Sequence, residues 1–187
     1  MKKFFVLMLL ALASTAFATS TAFAQGNNPM VGGAAMYRTR DIIDNAVNSS
    51  DHTTLVAAVK AAGLVETLKG KGPFTVFAPT NAAFEKLPQG TVETLLKPEN
   101  KGMLTKVLTY HVVAGRYDAK KLMQLIKKGG GTATLTTVSG DKLMAKMNGA
   151  NGITLMDEKG GMSNVTIADV YQSNGVIHVV DTVVLPE

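Results

Sequence analysis

The chain has 187 residues, a formal charge of +5, 46% hydrophobic residues, and neither cysteine nor tryptophan. A length of this order supports one domain with its own core, and the absence of cysteine excludes disulfides, thiol chemistry and a lipid anchor on an N-terminal cysteine. Without tryptophan there is little stacking platform for single strands, so nucleic acid is not expected as a partner.

Lys2-Lys3, the apolar run over residues 4–13 and Ala22-Phe23-Ala24 have the pattern of an export signal cleaved before Gln25, with Ala16-Phe17-Ala18 a weaker site. The run is shorter than the roughly 20 residues that span a bilayer, and no later segment is long enough, so no membrane anchor is expected. Cleavage leaves 163 residues with a formal charge of +3, destined for the periplasm, the cell surface or the medium. Residues 25–38 mix Gly, Asn, Ala and Met without period and read as a flexible leader to a domain over 39–186.

Ile42, Ile43, Ala46 and Val47 have helical spacing, as do Leu55, Val56, Val59 and Ala62, with Gly63 placed to end the second helix. Leu64, Val65 and Leu68 add one more turn. Residues 74–77 read as a short buried strand around which the rest packs, ended by Pro79. Thr80 or Asn81 then caps a two-turn helix carrying Phe84 and Leu87. Val92, Leu95 and Leu96 mark a further helix, stopped near Pro98. Met103, Leu104, Val107, Leu108 and His111 form the strongest apolar stripe, predicting the most buried helix. Asp118 is placed to cap a helix with Leu122, Leu125 and Ile126, ended by Lys127-Lys128 and three glycines.

From Thr132 the period changes from 3.6 to 2, predicting strands over 132–138, 142–147, 153–156, 165–171 and 176–185. Asn174-Gly175 predicts a type I′ turn, with positive φ at both residues. The last strand is apolar on both faces and is expected at the centre of its sheet. Helices followed by antiparallel strands, with one early strand joining the late sheet, predict an α+β fold.

Thr75-Val76-Phe77-Ala78-Pro79-Thr80-Asn81-Ala82-Ala83-Phe84, then Tyr110-His111, then Gly175-Val176-Ile177-His178-Val179-Val180-Asp181 with Val184-Leu185-Pro186 occur in that order. On these motifs the chain resembles a single fasciclin-like (fasciclin I) domain over residues 39–186. The resemblance implies an antiparallel β-wedge or sandwich beside short helices, and no cofactor. It also implies a secreted, non-enzymatic adhesion module that binds extracellular matrix, a polysaccharide or a surface protein. Thr75, Phe77, Pro79, Thr80, Asn81, Phe84, Asn174, Gly175, His178 and Asp181 are implied as residues that build the fold. Tyr110 and His111 are implied as a site of partner contact, since animal members bind integrins near that pair. Some members carry carotenoids, so the alternative is a carrier of a small apolar ligand in a hydrophobic groove.

The three histidines, His52, His111 and His178, lack metal-ligand spacing, and burial against backbone partners is the simplest account of the last two. Asp169, Asn174 and Asp181 cluster in sequence without a calcium loop and read as turn caps. No serine stands in a nucleophile elbow. Asn48 and Asn164 begin glycosylation sequons. Lys120-Lys121 and Lys127-Lys128 read as a solvated basic face. Met103, Met123, Met144, Met147, Met156 and Met162 suit an irregular core or an adaptable apolar surface.

Overall fold

The computed structural model describes residues 28–187, so the export segment and its cleavage site lie outside the described residues. The chain opens with a small hairpin, β1 (Met30–Val31) and β2 (Ala34–Ala35), turned by Gly32 and Gly33 at positive φ. This corrects the flexible reading of residues 25–38 over their described part. Val31 and Met36 are buried in the core, and the Gly32 carbonyl accepts from both the N–H and the hydroxyl of Ser50. Apolar burial offsets the entropy of ordering a segment that has no helical or strand period of its own.

Helix α1 (Ile42–Ala46) is capped by the Asp41 carboxylate, which accepts from Asp44 N–H at 2.8 Å. Helix α2 (Thr53–Ala62) ends at Gly63 in the left-handed conformation, as its position predicts, and α3 (Val65–Lys69) follows. Strand β3 (Phe74–Pro79) leads into α4 (Asn81–Glu85), then α5 (Thr91–Leu95), α6 (Lys101–Tyr110), a short β4 (Val112–Ala114) and α7 (Ala119–Lys128). The remainder is β5 (Thr132–Thr136), β6 (Lys142–Asn148), β7 (Gly152–Met156), β8 (Met162–Gln172) and β9 (Gly175–Val180).

Strands β3 to β9 form one seven-stranded sheet in the order β4-β3-β9-β8-β7-β6-β5. A bridge between Val113 and Thr137 brings the two ends of that order together, so the sheet curls towards a barrel. The pair β3–β9 is parallel and the others are antiparallel. Both β3 and β9 are buried on both faces, which is why their sequences are apolar without alternation. Val76, Ala78, Ile177 and Val179 face a core shared with α1, α2, α3 and α6. Phe77 and Val180 face a second core inside the curl, filled by Tyr110, Leu122, Ile126, Leu143 and Leu155.

Three expectations are corrected. The last strand stops at Val180 rather than Leu185. Met103 is 61% exposed, because α6 serves two cores: Leu104, Val107 and Leu108 enter one and Tyr110 the other, which leaves Met103 outside both. Asn174-Gly175 is not a type I′ turn, since neither residue has positive φ and Gly175 is already paired with Gln172 in the β8–β9 ladder. Gly175 is required there for another reason, that a Cβ would collide with the Phe74 carbonyl of β3.

Candidate functional site

The Tyr110-His111 pair lies where α6 gives way to β4, and both residues are buried. Tyr110 Oη donates to the Lys142 carbonyl at 2.8 Å, and burial raises the phenol well above its ordinary pKa. His111 Nδ1 donates to the Val107 carbonyl at 2.8 Å, while Nε2 accepts from Val184 N–H at 3.3 Å. Those two backbone groups fix the tautomer. Burial pushes the imidazole down to about 4, so it is neutral at physiological pH. A macromolecule cannot touch either side chain without opening the domain.

His178 is held likewise: Nε2 donates to the Tyr117 carbonyl at 2.8 Å, Nδ1 faces Asp169 N–H at 3.4 Å, and the ring stacks on Phe77. Burial again lowers its pKa. Asp169, at φ 60°, accepts from Ala119 N–H at the first residue of α7. Asp181 accepts from the N–H and side-chain amide of Asn164 and from Thr182. Burial raises that carboxyl, but these hydrogen bonds outweigh it and the net shift is downward. Asn174 sits elsewhere, with Oδ1 accepting from Ile42 N–H and Nδ2 donating to the carbonyls of Leu68 and Gly70. The three residues are thus tied into separate networks, and among the described residues no cluster of three His, Asp or Glu side chains is placed to hold a metal.

The corner after β3 divides its work between neighbours. Thr80 Oγ1 caps α4 by accepting from Ala83 N–H, and Thr75 Oγ1 ties β3 to Gly115 and Tyr117. Asn81 caps a different helix: its Oδ1 accepts from Thr54 N–H and from Thr53 Oγ1 at the start of α2, and its Nδ2 donates to the Ser50 carbonyl. Phe84 packs into the helical core. Pro79 closes β3 opposite Val180.

Two features stand outside the sequence motifs. One is an apolar cavity of about 70 Å3 between α1, α2, α3 and the β3–β9 pair, with His52 in its wall. His52, at a helix start, is 3% exposed, and no pattern in the sequence marks it as buried. The other is the outer side of α7. Lys120, Lys121, Lys127 and Lys128 are all exposed, and at 100° per residue they fall on one arc of about 120°. The helix contains no acidic residue, and none of the four forms an ion pair with the described residues. Lys121 also lies 4.2 Å from the centre of the Tyr117 ring. The methionines divide: Met123 and Met147 pack against the second core, whereas Met144, Met156 and Met162 pair across β6, β7 and β8 on the sheet surface, the last 66% exposed.

The sequence matches the Fasciclin domain family over residues 50–186. The chain belongs to the fasciclin-domain family. It is 43% identical to protein sll1483 of Synechocystis sp., over 96% of this chain and 99% of that protein. It is 32% identical to the cell surface glycolipoprotein MPB83 of Mycobacterium bovis, over 85% of this chain and 67% of the relative. The fold of this fasciclin domain matches a FAS1 domain pair from the insect cell adhesion molecule fasciclin I, with a TM-score of 0.70 at 20% identity, over 78% of this chain and 51% of that one. Residues 30–49, which supply the hairpin and α1, lie ahead of the family match.

Proposed function

We infer that this fasciclin domain works outside the cytoplasm as a non-enzymatic interaction module, and that the lysine face of α7 engages an anionic polysaccharide. The lysine arc carries the reading: four cations lie on one exposed face, and none of them forms an ion pair with a carboxylate of the described residues. Single exposed lysines contribute little, but a polymer with regularly spaced acids meets all four at once, and such binding weakens as salt rises. The cell-surface setting of the mycobacterial relative and the adhesion role of insect fasciclin I accord with this reading. The buried histidines also favour a module over an enzyme, since His111 and His178 are occupied by backbone groups.

Retention on an immobilised uronate polymer tests the site. Replacing all four lysines with glutamine keeps the helical period and should weaken binding at low salt at least about tenfold. A variant that folds and elutes at the wild-type salt concentration would remove α7 from the interface. The address is checked separately: N-terminal sequencing of the exported protein should begin at Gln25, and a protein still beginning at Met1 would contradict cleavage.

A further inference from the structure

The arginines of this chain are Arg38, Arg40 and Arg116, and each of them touches the turn between β8 and β9. They come from distant parts of the sequence. Arg38 and Arg40 follow β2, in the segment ahead of the family match, whereas Arg116 lies in the connection from β4 to α7. The Arg38 guanidinium is 4.7 Å from the centre of the Tyr171 ring. Arg116 Nη2 donates to the Gln172 and Ser173 carbonyls at 3.3 and 3.4 Å. The Arg40 carbonyl accepts from Ser173 N–H at 2.9 Å, and its guanidinium stacks 4.8 Å from the centre of the Tyr37 ring. Two buried amides fasten these pieces together: Asn45 donates to Gln172 Oε1 and also pairs with the N–H and carbonyl of Tyr37.

All three arginines are exposed, and none forms an ion pair with the described residues. The neighbouring carboxylates are committed elsewhere. Asp41 caps α1 and lies 3.9 Å from Lys69. Asp118 accepts from Lys121 N–H and from Tyr171 Oη, and Asp169 accepts from Ala119 N–H, so both serve the first turn of α7. Guanidiniums gathered without counter-charge repel one another, and an oxyanion relieves that repulsion. Stacking on tyrosine fixes the plane of a guanidinium while its N–H donors stay at the edge, which lowers the ordering cost of a two-pronged contact. Arg116 keeps its Nε and Nη1 donors after Nη2 is spent on the turn.

We propose that Arg38 and Arg116, with Arg40 beside them, form an oxyanion site at the β8–β9 turn that takes the acid group of a sugar, a uronate carboxylate or a sulfate ester. The oxyanion follows from the arginines; that a sugar carries it rests on the reading of the α7 lysine face given above. The two surfaces adjoin, since Lys121 Nζ donates to the Arg116 carbonyl at 3.2 Å. A polymer lying along the lysines therefore brings its acids to the arginines at the start of α7.

The purified protein, labelled with 15N, is titrated with a di-uronate and separately with a sulfated disaccharide while the arginine Nε–H signals are followed by NMR. Saturable movement of the Arg38 and Arg116 signals is expected with one or both sugars, and the comparison tells carboxylate from sulfate ester. No saturable movement with either sugar overturns the site. The double variant Arg38→Lys, Arg116→Lys keeps both charges and loses both forks, and its affinity for the bound sugar should fall at least about tenfold. Wild-type affinity in that variant means that charge alone attracts the sugar, which overturns the site as well. Should the variant fail to fold, the wild-type titration decides alone. The lysine face is judged by a different readout, the salt that elutes its glutamine variant from the uronate polymer, so either surface can fail while the other stands.

Discussion

Val107 and Val184 together determine the chemistry of His111: the carbonyl of one demands a proton on Nδ1, and the N–H of the other demands a bare Nε2. Charging that ring inside the core would break the second bond. With the folded pKa near 4 and the ordinary value at 6.5, the unfolded chain takes up a proton below about pH 6.5 that the folded chain refuses. Stability is therefore full above that pH and falls towards pH 4, by roughly 3 kcal/mol from this residue. His52 and His178, also lowered by burial, push the same way. His111→Ala should cost about 2–4 kcal/mol at pH 7, from the cavity and the two orphaned backbone groups. The gap to wild type should then narrow by roughly 3 kcal/mol at about pH 4, because the variant has no histidine left to charge there. Urea midpoints at both pH values check this, and a gap that stays constant would mean His111 titrates normally. A structural His111 was legible from its place on the α6 stripe. Its acceptor bond was not, because Val184 lies 73 residues away. His52 was not legible at all.

At the level of single elements, apolar periodicity located the helices and strands well, since burial on one face is what produces the period. It failed where an element serves two environments. The α6 stripe assigned Met103 to the interior and said nothing of Tyr110, which enters the second core. Local grammar failed in a similar way at Asn174-Gly175. Asn174 is selected by carbonyls and an N–H from α1 and α3, and Gly175 by the nearness of β3, and neither cause is local. The strand-to-helix corner shows the same division. Thr80→Ala removes one cap from α4 and should cost about 1 kcal/mol. Asn81→Ala removes the acceptor at the start of α2 and the donor to Ser50, and should cost more, about 1–3 kcal/mol. Comparing the two urea midpoints is decisive, for an Asn81→Ala protein as stable as wild type would show that α2 does without this bridge.

Across the whole molecule, the α+β class and the joining of an early strand to a late sheet followed from the order of periodicities in the sequence. The direction of that joining did not, because a parallel pair makes no hairpin and leaves no turn to read. Strand β9 lies between β3 and β8, so a chain ended at Asn174 loses the middle of its sheet and bares two strand edges. Such a truncation should abolish cooperative urea unfolding while some helical circular dichroism persists; a sharp transition at the wild-type midpoint would show that the helical core folds alone. The position of β9 also bears on the order in which the protein can be made. Residues 175–180 follow residues 74–79 by about a hundred positions in the chain, yet the earlier strand waits for the later one as a neighbour. Until then the molecule is an open hook with its helices assembled on one side only, so closure of the sheet waits on a contact distant in sequence.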